Sequence, residues 1–228
     1  SSKRLVLAFK GTSSAENVRT DLDVIKTVHE PKRKVQVSKG ITKKISVPRT
    51  PMVHRGFWKS WKKKGFDERI KRLVKRYIDT YHADSNDPVE LHVTGHSLGG
   101  ALATLAAFDL TQQFRVDTTV YTFGQPRVGN RAFATEYNAT VIKHFSVANG
   151  HDPVARVPKG SYTKNGIRVV TSKTGDVVVA PSSLESHVLN NSTPETKDHL
   201  LESYRRAWMV SIKQQFGPKA VPSLTQNG

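Results

Sequence analysis

The chain is 228 residues long, with 36 Lys and Arg against 19 Asp and Glu and no cysteine. That length suits a single α/β domain with a sizeable core, and the lack of cysteine excludes disulfides, thiol chemistry and Cys-ligated metals. The net charge of +17 favours polyanionic surfaces, and no apolar run approaches the ~18 residues of a transmembrane helix.

The chain opens on Ser1-Ser2-Lys3-Arg4 with no signal-peptide pattern. The short apolar run Leu5-Val6-Leu7-Ala8-Phe9 reads as a buried strand ending at Lys10-Gly11-Thr12. Residues 13–29 are mixed and suit a short helix and a loop. Residues 32–47 alternate basic and β-branched side chains around Gly40, which suggests a peripheral basic hairpin. A long amphipathic helix follows. Phe66, Ile70, Leu73, Val74, Tyr77, Ile78 and Tyr81 are spaced for one packed side, while Arg69, Lys71, Arg72, Lys75 and Arg76 occupy the others. The cluster Asp84 to Pro88 ends it.

Strands are then predicted at Val89–Thr94, Thr118–Phe123 and Val141–Val147, with a hairpin of Ile167–Val170 and Asp176–Val179 around Thr174-Gly175. A last amphipathic helix carries Leu200, Leu201, Tyr204, Ala207, Trp208 and Val210. Gly217-Pro218 stops it, leaving a tail over 217–228 expected to be flexible. Strands alternating with helices predict an α/β fold, a mainly parallel central sheet with helices on both faces. Active groups then belong at the carboxyl ends of the strands.

Gly95-His96-Ser97-Leu98-Gly99 has the form G-x-S-x-G between a predicted strand and the small-residue helical run Gly100–Phe108. This is the setting of a nucleophile elbow, a turn so sharp that the serine hydroxyl stands clear. A serine needs a histidine base, and the histidine needs a carboxylate to hold its tautomer. Asp152 is the best-placed acid, directly after the strand 141–147 and before Pro153. Asp109 lies in the helix behind the elbow, and Asp117 lies at the wrong end of a strand. His199, at the start of the last helix, is the best-placed base, with His187 as its rival. His96 reads as a packing residue. An oxyanion hole needs two donors. The Leu98 N–H supplies one, and Thr12, after the first strand, offers an N–H and a hydroxyl. Asn138-Ala139-Thr140, Asn190-Asn191-Ser192 and Asn191-Ser192-Thr193 match the glycosylation pattern. No metal spacing, phosphate loop or dinucleotide fingerprint is present, so neither cofactor nor metal is expected.

The basic residues concentrate between Lys32 and Arg76, where Asp67 and Glu68 are the only acids. A solvated face would explain this, and so would docking to an anionic membrane. The belt lacks the interleaved aromatics of a nucleic-acid module, so no nucleic acid is expected as partner.

Several segments in order resemble the class 3 lipases, the group of the fungal triacylglycerol lipases. Val6 to Ser14 is similar to their oxyanion strand and loop, and Val53-His54-Arg55-Gly56-Phe57 to their H-x-G-F segment. Gly95 to Ala103 resembles their elbow, Thr122 to Asn130 their G-x-P-R-V-G-N segment, and Asp152-Pro153-Val154 and Asp198-His199 their acid and base segments. The resemblance implies an α/β-hydrolase fold over residues 1–228. The family's front end ahead of the oxyanion strand has no counterpart here, which implies either a smaller sheet or a fragment or truncated form of the family's chain. It implies a serine ester hydrolase acting on a lipid ester at a lipid–water interface. Ser97 would be the nucleophile, Asp152 the acid, His199 rather than His187 the base, and Thr12 and Leu98 the oxyanion residues. It also implies a lid over residues 13–22, although Ala15, Val18 and Leu22 give that segment only a thin apolar face. A secreted location is favoured by the same likeness. Acylglycerol is the first expected substrate, a phospholipid of an anionic membrane the second and a feruloyl ester the third. A silent lipid- or protein-binding module would show a broken triad, and all three positions are filled.

Overall fold

The computed structural model describes residues 4–11, 50–82, 87–182, 185, 193–217 and 219. The expected basic hairpin, the lid segment, Thr12, His187 and, apart from Gly217 and Lys219, the tail lie outside them.

Among the described residues, six strands form one sheet in the order β1-β2-β3-β5-β7-β8. They are β1 (Arg4–Phe9), β2 (Val89–His96), β3 (Val116–Phe123), β5 (Lys143–Asn149), β7 (Ile167–Thr171) and β8 (Val177–Val179). The first four pairings are parallel, and only β7 with β8 is antiparallel. A two-strand ladder of β4 (Gly129–Asn130) and β6 (Tyr162–Thr163) lies apart from this sheet. The α-helices whose bounds fall among the described residues are α1 (Arg55–Lys62), α2 (Phe66–Tyr81), α3 (Leu98–Gln113), α4 (Arg131–Thr140) and α5 (Leu201–Phe216). No described helix is long and apolar enough to cross a membrane.

Alternation along the strands separates two cores. On β2, Val89, Leu91 and Val93 are buried, while Glu90, His92, Thr94 and His96 are only half-buried on the other face. The buried face packs on α3, where Ala101, Ala103, Leu105, Ala106, Ala107, Phe108 and Leu110 are all buried. A helix apolar all round belongs inside a protein, and its alanines let it lie close to the sheet. Phe57 and Trp61 of α1 and Val74 of α2 join this core, as do Phe133 and Tyr137 of α4. The opposite face holds a second cluster, in which Phe123, Phe145, Val147 and Val169 meet Tyr204 and Trp208 of α5. The sheet is therefore covered on both sides, as strand–helix alternation implied.

Helix α2 has the bounds its periodicity predicts, but its packed stripe is narrower. Val74 is fully buried, whereas Leu73 is 60% exposed. Adjacent helical positions point about 100° apart, so a stripe centred on Val74 leaves Leu73 facing water. Helices α1 and α4 and the β4–β6 ladder were not read from the sequence. The apolar positions of α1 are few, and α4 is mixed. The strand predicted over Val141–Val147 runs instead over Lys143–Asn149, which brings its carboxyl end closer to Asp152.

Candidate active site

Ser97 sits between β2 and α3 with φ 56° and ψ −125°, a conformation that side chains rarely adopt. Its N–H donates to the Phe123 carbonyl at 2.9 Å, tying the turn to β3. The flanking glycines are required by space. A Cβ on Gly95 would collide with the Gly99 carbonyl, and one on Gly99 would collide with the Phe9 carbonyl of β1. The G-x-S-x-G pattern thus records how closely two strands and a helix converge.

Asp152 lies just beyond β5. Its Oδ1 accepts from the Val154 N–H at 2.8 Å, so the carboxylate is held within its own turn. His199 closes a 3-10 turn over Thr196–His199, directly before α5. Its Nδ1 is 3.0 and 2.9 Å from Asp152 Oδ1 and Oδ2, and its Nε2 is 2.8 Å from Ser97 Oγ. A carboxylate only accepts, so Nδ1 carries the proton and Nε2 is the lone pair facing the serine hydroxyl. All three residues are buried. The sequence candidates Ser97, Asp152 and His199 are therefore assembled into one line of hydrogen bonds.

Burial alone would raise the Asp152 carboxyl. Hydrogen bonding and the charge of His199 outweigh it, helped by the Tyr204 hydroxyl and the Val154 N–H, and hold the group below its ordinary value. Gly124, at φ +58°, lets the pair form: a Cβ there would stand 2.8 Å from both Asp152 Oδ2 and His199 Nδ1.

Three residues that the sequence reading did not place in the site, Tyr204, His96 and Asp198, support it. Tyr204 of α5 donates to Asp152 Oδ2 at 2.5 Å. His96 stacks on the His199 ring at 4.6 Å between centroids, and its Nε2 donates to the His199 carbonyl at 2.7 Å. Burial and then the nearby His199 charge push His96 down to about 4, so it is neutral around pH 7. It is thus bonded to the backbone of the base turn and does more than pack. Asp198, almost fully buried, accepts the His151 N–H through Oδ2 at 2.9 Å, and its carbonyl accepts from Asn149 Nδ2 at 3.1 Å. These two bonds fasten the turn bearing His199 to the loop bearing Asp152. Only the Asp198-His199 adjacency was visible beforehand; Tyr204 looked like any other apolar position of the last helix.

Leu98 is the first residue of α3, so its N–H has no acceptor within the helix and lies at the positive end of the helix dipole. Thr12, the second expected donor, falls outside the described residues. Phe9 pairs with Gly95 in the sheet, so the chain leaves β1 toward Thr12 from beside the elbow. A cavity of about 430 Å³ adjoins His199 and is lined by Phe9, Gly95, His96, Phe123, Leu200 and Leu201 among others. A larger one, about 940 Å³, opens beside α5 against Lys173, Glu202, Arg205 and Arg206. His199 lines the smaller cavity and not the larger.

The model for the family "Lipase (class 3)" matches residues 6–162. The lipase of Rhizomucor miehei is 31% identical over 211 residues, covering 88% of this chain and 52% of that protein. Phospholipase A1 EG1 of Oryza sativa subsp. indica is 38% identical over 94 residues, covering 40% of this chain and 21% of that one. The chain thus spans about half the fungal lipase and about a fifth of the rice enzyme. The crystal structure of the lipase from Rhizopus microsporus var. chinensis superposes with a TM-score of 0.63 at 28% identity, covering 86% of this chain and 63% of that one. The fold shared with these lipases is the α/β-hydrolase fold. With an elbow serine at a strand end and a matched segment of more than half its length, the chain belongs to the class 3 lipase family.

Proposed function

We propose that this protein is a serine hydrolase of lipid acyl esters, with Ser97 as nucleophile, His199 as general base and Asp152 as its orienting acid. The observation that carries this reading is the single line from Asp152 through His199 to Ser97, with 2.8 Å between Nε2 and Oγ. As Ser97 attacks the ester carbonyl, His199 takes the hydroxyl proton and the ionised Asp152 stabilises the resulting imidazolium. The oxyanion forms at the amino end of α3, where the Leu98 N–H meets it, with Thr12 as the second donor. The carbonyl then re-forms as His199 protonates the departing alcohol, leaving an acyl-enzyme on Ser97. Water, deprotonated by the same imidazole, releases the fatty acid and restores the serine.

An acylglycerol is the substrate this reading favours, since the relatives matched over most of this chain are named lipases. The mostly apolar walls of the cavity beside His199 suit an acyl chain. A phospholipid is the second reading, supported by the net charge of +17 and by the plant relative named as a phospholipase A1. Hydrolysis of a short soluble ester, a triacylglycerol emulsion and phospholipid vesicles, each with wild type and Ser97→Ala, tests both. Release of fatty acid by wild type alone is expected. Equal release by Ser97→Ala contradicts the assignment, and the preferred lipid selects between the substrates.

A further inference from the structure

The positive charge is not spread evenly over the folded surface. Arg4 pairs with Glu90, Lys143 with Asp117 and Arg206 with Glu202. Along α2 the acids are already engaged: Asp67 takes Lys62, Glu68 takes Lys71 and Asp79 takes Lys75. What remains is a face of arginines. Arg69, Arg72 and Arg76 are exposed, and among the described residues none has a carboxylate partner. On a regular helix these three and Leu73 fall within a stripe about 100° wide. The exposed Leu73 therefore stands between Arg69, one turn before it, and Arg76, one turn after. Lys59 of α1 and Lys63 and Lys64 of the linking turn are likewise exposed and without a carboxylate partner among the described residues.

This face starts at the end of the molecule where the site lies. Phe66, the first residue of α2, packs its ring 6.1 Å from that of Phe9, the last residue of β1. Phe9 is paired with Gly95, two residues before Ser97. From there α2 runs back toward the amino end of the sheet. The Lys63-Lys64 turn and Arg69 are thus the part of the face nearest the elbow.

We propose that the α1–α2 face is a docking surface for an anionic phospholipid bilayer. Guanidinium groups without a carboxylate partner match lipid phosphates, Arg69 being held over the Phe66 ring at 5.9 Å, and clustered cations are drawn to an anionic leaflet with a strength that falls with salt. An aliphatic side chain amid the arginines has a place among acyl chains and none on a nucleic-acid backbone. Docking on this face would hold the site beside the ester-bearing surface. The purpose of docking rests on the ester-hydrolase reading, but the binding itself does not.

Vesicle sedimentation tests it, using the full chain with Ser97→Ala so that the lipid stays intact. Binding to phosphatidylcholine vesicles containing phosphatidylglycerol, and not to phosphatidylcholine alone, is expected, with a steep loss as salt rises. R69Q/R72Q/R76Q should lower partitioning about 100-fold. R4Q/K143Q/R206Q removes the same charge from paired positions and should lower it no more than about 3-fold. In the wild-type Ser97 background, the arginine triple should turn over a soluble short ester as the parent does, which establishes its fold. Equal binding to neutral vesicles, equal loss in the two triples, or tighter retention by duplex DNA than by anionic vesicles at the same salt would overturn the proposal. Binding as expected with no soluble-ester turnover in the parent would instead remove the hydrolase reading and leave the docking surface standing.

Discussion

The hydroxyl of Tyr204 donates to Asp152 Oδ2 at 2.5 Å while accepting the N–H of Asn149 at 3.0 Å. One buried side chain of α5 thus fixes both the carboxylate and the end of the strand that delivers it. A hydrogen bond to a charged group is worth roughly 1.5–3 kcal/mol, and losing part of that as alignment of the base is about 10-fold in rate. Tyr204→Phe should therefore lower kcat about 10-fold on a soluble ester and leave KM nearly unchanged. The lost donor favoured the ionised carboxyl, so Asp152 should rise and the acid limb of the kcat profile should move to higher pH. A lower kcat with an unmoved acid limb would mean that Tyr204 acts through packing alone.

Gly124 sits where a methyl group would enter the Asp152–His199 pair. Gly124→Ala places a Cβ 2.8 Å from Asp152 Oδ2 and His199 Nδ1, at a φ of +58°. The pair must separate or the turn must move. Soluble-ester turnover should fall at least about 100-fold, since small misplacements of reacting groups carry penalties of that order. Circular dichroism and a thermal melt separate this outcome from global unfolding. Full activity would show that the Asp152–His199 contact is dispensable.

Asp198 fastens the His199 turn to the Asp152 loop through the His151 N–H, and Lys173 Nζ lies 3.1 Å from its Oδ1. Asp198→Asn retains an acceptor for the His151 N–H and should cost only a few-fold in kcat. Asp198→Ala leaves that N–H without its partner, an expense of about 1–3 kcal/mol in stability. It should also lower kcat more than the asparagine variant does. Parallel kinetics and urea denaturation of the two variants check this, and identical turnover in both would remove the latch.

Buried histidines should make the protein sensitive to mild acid. Burial lowers His144 to about 3, and burial followed by the His199 charge lowers His96 to about 4, against an unfolded value near 6.5. Below pH 6.5 the unfolded chain binds protons that the folded chain refuses. Stability therefore falls as pH drops from 6.5 toward 4, by up to ~1.4 kcal/mol per pH unit for each histidine. Urea midpoints measured at pH 7, 6 and 5 should decline, and His144→Gln should flatten that decline. A slope unchanged by the substitution would contradict the assignment.

The framework was legible in the sequence wherever one physical signal acted alone. Runs of apolar and β-branched residues marked the main-sheet strands, and the glycines around Ser97 marked a turn that only small residues can make. The positions of Asp152 and His199 next to Ser97 were legible because one follows a strand end and the other precedes the last helix, and both kinds of terminus lie at the end of the sheet where the elbow stands. Tyr204 and Gly124 were not legible. A tyrosine at a core position of an amphipathic helix gives no sign of what its hydroxyl reaches, and the need for glycine at 124 comes from residues 28 and 75 positions further along the chain. Leu73 was misplaced because a sequence stripe shows spacing without showing where its centre falls. Helix α1 was missed because Arg55, Lys59 and Lys62 dominate a segment whose two buried aromatics, Phe57 and Trp61, are only one turn apart.

The central claim is that Ser97 is the acyl-transfer nucleophile, and covalent labelling tests it most directly. The protein is treated with an alkyl phosphonate ester bearing a good leaving group, then digested and analysed by mass spectrometry. A single adduct on Ser97, formed in step with loss of ester hydrolysis, absent in Ser97→Ala and strongly slowed in His199→Ala, is the expected result. Loss of hydrolysis with the label on another residue, or labelling that persists in Ser97→Ala, would contradict the account.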